Sequence, residues 1–167
     1  MATERVLGID PGTALVGWGV VEGEGQELRL VEYGTIRTAA HTPLAERITL
    51  IYEQLNEILE RFQPDGVGIE QLFFARNVTT ALPVAHARGV MLLAVHQRAL
   101  PLAEFTPMQV KQAVTGYGGA DKKQMQQMVR LLLGLADIPR PDDAADAVAI
   151  AICYHHTVRY TRLTNSA

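Results

Sequence analysis

Val6-Leu7-Gly8-Ile9-Asp10-Pro11-Gly12-Thr13 begins as the short apolar run of a buried strand and ends in a carboxylate before a turn. Pro11-Gly12 reverses the chain, so Asp10 is expected at the last rigid position of a core strand, at a sheet edge. In open α/β sheets that edge is where ligands bind. Taken alone, an Asp before a turn is more often an ordinary turn residue. The same design recurs in Gly66-Val67-Gly68-Ile69-Glu70, and the recurrence makes Asp10 and Glu70 site candidates.

Outward from the first strand, Val16, Trp18 and Val20 alternate with Gly17 and Gly19, a period of two. One face carries bulk and the other is bare, so something can approach the bare side closely. Glu22-Gly23-Glu24-Gly25 reads as a turn, and Leu28, Leu30 and Ile36 continue a third strand of an antiparallel meander. Thr42-Pro43 reads as an N-cap followed by proline at the first helical position. Leu44, Ile48, Ile51, Leu55, Ile58, Leu59 and Phe62 then form one apolar stripe on a helix of about five turns. A helix between two strands predicts that residues 66–70 run parallel to the first strand.

A second long helix is expected from near Thr80 to Arg98, with Pro83 in its first turn, where proline is tolerated. A strand at 101–105 follows. Thr106-Pro107 opens a brief helix, and Gly116 to Gly119 break it. Asp121 and Gln124 have capping-box spacing. The stiff link Ile138-Pro139-Arg140-Pro141 leads into a last helix whose alanines let it lie close against a sheet. The class is α/β: one domain over residues 1–156, then a polar, flexible tail over 157–167.

With 48% hydrophobic and 20% charged residues, the balance is globular and excludes a disordered chain. No apolar run is expected to reach the ~18 residues of a membrane span, and the N-terminus lacks the build of a signal peptide. One cysteine, Cys153, excludes an internal disulfide and a multi-thiolate zinc site. A reduced, cytoplasmic protein without membrane contact is expected. His86, His96, His155 and His156 read as surface or capping residues. The net charge of −3 argues against nucleic acid as a partner. Two divalent cations held by acids would add four positive charges and bring the −3 of the chain to +1, so bound ions must be counted first.

Asp143 and Asp146, three apart, share a helix face with Cβ atoms roughly 5–6 Å from each other. Asp142, four before Asp146, also qualifies. Capping and the helix dipole account for Asp142 and Asp143. They do not account for Asp146, a turn inside an apolar helix, where a lone buried charge is costly. Acids at two strand ends and on one helix, without a His/Cys cluster, suit Mg²⁺ or Mn²⁺. Two such ions ~3.5–4 Å apart can clamp the attacking and leaving oxygens of a phosphoryl displacement.

Gly8-Ile9-Asp10-Pro11-Gly12-Thr13, Ile69-Glu70-Gln71 with Phe73 following, Gln109-Val110-Lys111-Gln112 and Asp143-Ala144-Ala145-Asp146-Ala147 together resemble the RuvC family of bacterial Holliday-junction resolvases. The likeness spans about residues 5–156, in the family's motif order. It implies an RNase H-like fold, a five-stranded mixed sheet flanked by helices, assembled as a homodimer. It implies a nuclease of recombination and repair that resolves four-way DNA junctions by paired nicks. Asp10, Glu70, Asp143 and Asp146 would be its catalytic acids and hold two Mg²⁺ or Mn²⁺ ions per active site, with Asp142 a competitor of Asp143. Partnership with a RuvA and RuvB branch-migration complex is implied as well.

The resemblance also places junction-binding roles on Phe73, Lys111 and Lys122. Phe73 and Phe74 follow a site acid where an aromatic can stack on an exposed base; the plain alternative is core packing, as solvated surface is for the lysines. Arg76, Lys123 and Arg130 are further candidates for neutralising DNA backbone. Three rivals stand beside this reading. One is an RNase H-like nuclease of the pre-ribosomal RNA processing type, which shares the opening Gly-Ile-Asp. The second is an actin-like nucleotide-binding protein, for which 167 residues leave no room for a second lobe. The third is an inactive junction-binding scaffold.

Overall fold

The computed structural model describes residues 2–72 and 78–165. Strands β1 (Glu4–Asp10), β2 (Leu15–Glu24) and β3 (Glu27–Arg37) form the expected antiparallel meander. Strands β4 (Gly66–Glu70) and β5 (Leu102–Phe105) extend it in parallel, giving the order β3-β2-β1-β4-β5. Helices α1 (Leu44–Phe62), α2 (Val78–Gln97), α3 (Pro107–Thr115), α4 (Lys122–Leu132) and α5 (Asp142–Asn165) cover the two faces.

Strand alternation sorts the core into two layers. Leu7, Ile9, Val16, Trp18, Val67 and Ile69 pack against Ile51, Leu55 and Leu59 of α1 and Met91 and Val95 of α2. On the opposite face Val6 and Val21 meet Val110 and Val114 of α3, Val129 of α4 and the buried stretch Val148 to Tyr154 of α5. Cys153 lies in that second layer, and burial pushes its thiol up to about 11, which makes it an inert core residue. The expected capping box of Asp121 with Gln124 forms, and Thr106 makes a further one with Gln109.

Several boundaries differ from the expectation. Glu22 to Glu24 belong to β2, and Gly25, at φ 60°, makes the reversal. Glu22 stays in the strand because its carboxylate is ion-paired with Arg5 and Arg29. At the start of α1, Pro43 itself is the cap position, while the Thr42 hydroxyl donates to the Ala39 carbonyl at 2.8 Å. Helix α2 begins at Val78, which places Pro83 in the second turn. This helix, 20 residues with a mean hydropathy of 1.5, is long and apolar enough to cross a membrane by length and composition, contrary to the expectation. Its Ala87, Met91, Ala94 and Val95 are buried in the layer shared with α1, while Val78, Leu82 and Leu93 are exposed.

Helix α5 continues through Asn165, over most of the stretch expected to be a tail. A change to polar residues does not end a helix when no Gly or Pro interrupts it. His155, expected as a surface or capping residue, is buried with its ring against the Val21 carbonyl at 3.0 Å.

Candidate active site

The same alternation brings two acids to one face. On β1, Leu7 and Ile9 enter the α1–α2 layer, while Val6 and Gly8 lie under α5; Asp10 therefore projects to the α5 side. On β4, Val67 and Ile69 enter the α1–α2 layer and Gly66 and Gly68 face α5, so Glu70 follows them. Ile9 and Ile69 are in parallel register, which ends the two adjacent strands with their acids side by side.

Helix α5 supplies the rest, and bare backbone lets it come close. A Cβ on Gly8 would collide with the Ala147 carbonyl. One on Gly17, the residue paired with Asp10 across β1 and β2, would collide with the Asp143 carbonyl. The bare face of β2 thus receives the first turns of α5, which carry Asp143 and Asp146.

The electrostatics record the convergence. Burial, then the charges of Glu70, Asp146 and Asp143, push the Asp10 carboxyl up to about 8. Asp10 keeps the proton and donates it to the Glu70 carboxylate. Glu70 is itself raised, first by burial and then by Asp146, against the lowering effect of that hydrogen bond. Asp146 is raised by burial of its carboxyl and by Asp143 and Asp142, while Lys122 opposes them. Among the described residues, no three acids, histidines or cysteines form a ready-made cation cage; Asp10 and Glu70 give an oxygen each to one another.

Asp146 departs from the expectation of a buried charge. The residue as a whole is exposed, between the buried Ala144, Ala145 and Ala147, while its carboxyl is desolvated enough to be raised. The helix is apolar on its sheet side only, and Asp146 stands on its rim. Asp142 is drawn away from the other acids: Lys122 Nζ lies 2.9 Å from its carboxylate and Gln126 donates to it at 3.1 Å. Those partners hold its pKa below the usual carboxylate range, chiefly through the Lys122 hydrogen bond.

Lys122 is accordingly the lysine at this site, and the surrounding acids raise its pKa, Asp142 most of all. Lys111 is half-buried on α3 and Lys123 exposed in the first turn of α4, and neither is among the cations that act on Asp10, Glu70 or Asp146. Phe73 and Arg76 lie outside the described residues.

One supporting residue escaped the sequence reading. Arg88 of α2 donates to the Glu70 carbonyl at 3.1 Å and is ion-paired with Glu104 of β5. It ties the end of β4 to its neighbouring strand, so Glu70 stands on a braced backbone. The available signal was an arginine set in the middle of a largely apolar helix.

The family described as crossover junction endodeoxyribonuclease RuvC matches residues 6–155. The crossover junction endodeoxyribonuclease RuvC of Chloroflexus aggregans is 61% identical over 153 residues, 92% of this chain and 93% of its own. That of Thermomicrobium roseum is 57% identical over 159 residues, 95% of this chain and 97% of its own. The structure of T. thermophilus RuvC in complex with Holliday junction substrate matches with a TM-score of 0.90 at 39% identity, covering 95% of this chain and 96% of that one.

Proposed function

The chain belongs to the RuvC family of crossover junction endodeoxyribonucleases, and we propose from this premise that it resolves four-way DNA junctions at the Asp10, Glu70, Asp143 and Asp146 site. The reading is supported by the acids that β1, β4 and α5 bring within electrostatic reach of one another: Glu70, Asp146 and Asp143 all act on the Asp10 carboxyl, which burial and their charges raise to about 8. So crowded a set of negative oxygens suits a cationic occupant. Four carboxylates without a thiolate or imidazole favour hard divalent ions, and Asp10, Glu70, Asp143 and Asp146 would hold two Mg²⁺ or Mn²⁺ per site. When bound, the ions supply positive charge for the attacked phosphodiester and its leaving oxygen and acidify the attacking water.

The chain's own residues do the remaining work. Asp10 and Glu70, fixed at strand ends, give up the proton they share, so that both present anionic oxygens. Asp146, open to solvent, is the acid that an incoming strand meets first. Lys122 offers its ammonium to the backbone phosphate beside the cleaved bond, and Phe73, Lys111, Arg76 and Lys123 are proposed as further DNA contacts. The working form is a homodimer, whose two-fold axis sets two such sites on opposed strands, as paired nicks require. A cytoplasmic setting and association with RuvA and RuvB complete the proposal.

The test compares a synthetic four-way junction, matched linear duplex DNA and an RNA duplex, each with Mg²⁺, Mn²⁺ or EDTA. Symmetric nicks in the junction alone, dependent on the divalent ion, are expected. Asp146→Asn should lower the cutting rate on the order of 100-fold or more, the scale of removing a preorganised charged contact, while junction binding survives. Preferential cutting of RNA would overturn the assignment.

A further inference from the structure

Between α4 and the link that leads into α5, the described surface opens into a cleft of about 530 Å³, lined by Tyr33, Gln127, Arg130, Asp137 and Arg140. We propose that this cleft grips the phosphodiester backbone of a junction arm as it leaves the carboxylate site, with Arg130 and Arg140 as its two phosphate ligands. The proposal rests on the DNA-cleaving reading above and adds a binding surface to it.

Three observations carry it. The first is continuity. Gln126 of α4 donates to Asp142 at 3.1 Å, and the next residues along that helix, Gln127 and Arg130, line the cleft. Arg140, two residues before Asp142, lines its other side. Helix α4 thus joins the cleft to the turn of α5 that carries Asp142.

The second is charge. Two guanidiniums against the single carboxylate of Asp137 leave the cleft net positive, in a chain whose overall charge is −3. Arg5, Arg29, Arg61 and Arg88 are each engaged in an ion pair. Among the described residues Arg130 and Arg140 are in none, as are Arg37, Arg47 and Arg98, but only Arg130 and Arg140 share a cleft. Among the described residues the only bond from the Arg130 guanidinium is from Nε to Gln127 Oε1 at 3.2 Å. Their Nη donors remain for an outside anion, and the planar fork of arginine fits a phosphate with two parallel bonds.

The third is preorganisation. Pro139 and Pro141 fix the backbone on either side of Arg140, which lowers the entropy lost on binding. Tyr33, 37% exposed, gives the cleft an apolar wall on which a deoxyribose can rest.

The test measures junction affinity in EDTA, where no cutting intervenes, across a range of salt concentrations. Each phosphate contact contributes about 0.9 to the slope of log affinity against log salt. The double variant Arg130→Gln with Arg140→Gln should flatten that slope by about 1.8 and weaken binding about tenfold near physiological salt. The charge-keeping pair Arg130→Lys with Arg140→Lys should keep the wild-type slope, and Arg98→Gln, beyond α2, should leave it unmoved. An unchanged slope in the glutamine pair overturns the cleft, as does equal flattening in the lysine pair or in Arg98→Gln. Failure of the wild-type protein to prefer a junction over duplex overturns the broader reading instead, so the two failures are distinct.

Discussion

At the scale of single residues, the shared proton of Asp10 and Glu70 has a measurable consequence. Asp10 holds its proton up to about 8 in the fold, whereas in the unfolded chain it ionises near the usual value of about 4. Between those values the folded state binds more protons than the unfolded one, so stability falls as pH rises. The contribution is complete below about pH 4 and gone above about pH 8. In EDTA, the melting temperature should drop across this window and the drop should be shallower in Asp10→Asn. Mg²⁺ or Mn²⁺ should restore stability most at the upper end, where the carboxylates are free to bind it. A melting temperature that climbs with pH over this range would contradict the assigned proton.

The ambiguity between Asp142 and Asp143 also belongs to this scale. Asp142 is engaged by Lys122 and Gln126, while Asp143 acts on Asp10. Asp143→Asn should therefore reduce junction cutting on the order of 100-fold, and Asp142→Asn only a few-fold, through a less ordered Lys122. Single-turnover rates at saturating enzyme separate the two, and equal losses would return Asp142 to the ligand set.

At the scale of elements, the site depends on how closely α5 lies on β1 and β2. The glycines there are read most directly at Gly17, where any side chain would strike the Asp143 carbonyl. Gly17→Ala should cost about 1–3 kcal/mol in urea denaturation, the usual range for overpacking a filled core. It should also cut the rate by more than the lost stability explains, since α5 carries two of the four acids proposed for the site. A variant that folds with its helix displaced but cuts normally would separate α5 from the chemistry. The bare stripe of β2 was legible as room for a neighbour, but its neighbour was not, because alternation within a strand carries no information about which distant segment covers it. Helix ends were legible where side chains cap them, as at Thr106 and Asp121. They were misplaced where a partner elsewhere decides, as at Glu22, which ion pairs keep in the strand.

At the scale of the whole molecule, the proposed dimer makes a prediction that no single site does. Wild-type protein mixed with an excess of Asp146→Asn and allowed to exchange subunits should nick one strand of a junction and leave the opposed strand intact. Two-strand cutting that falls in proportion to single-strand cutting would mean that each subunit works alone. What the amino-acid order determined unaided was local: which runs are strands, that two of them end in acids, that a late helix carries further acids, and that the motifs occur in the RuvC order. Such features follow from period, turn chemistry and side-chain type, all of which act within a few residues. Tertiary structure decided which acid stands where. It set Asp142 on Lys122, left Asp146 at the solvent edge, braced Glu70 through Arg88 and opened the arginine cleft beside Tyr33. Each of these depends on groups far apart in the chain, whose distances are set only when both apolar layers close on the sheet.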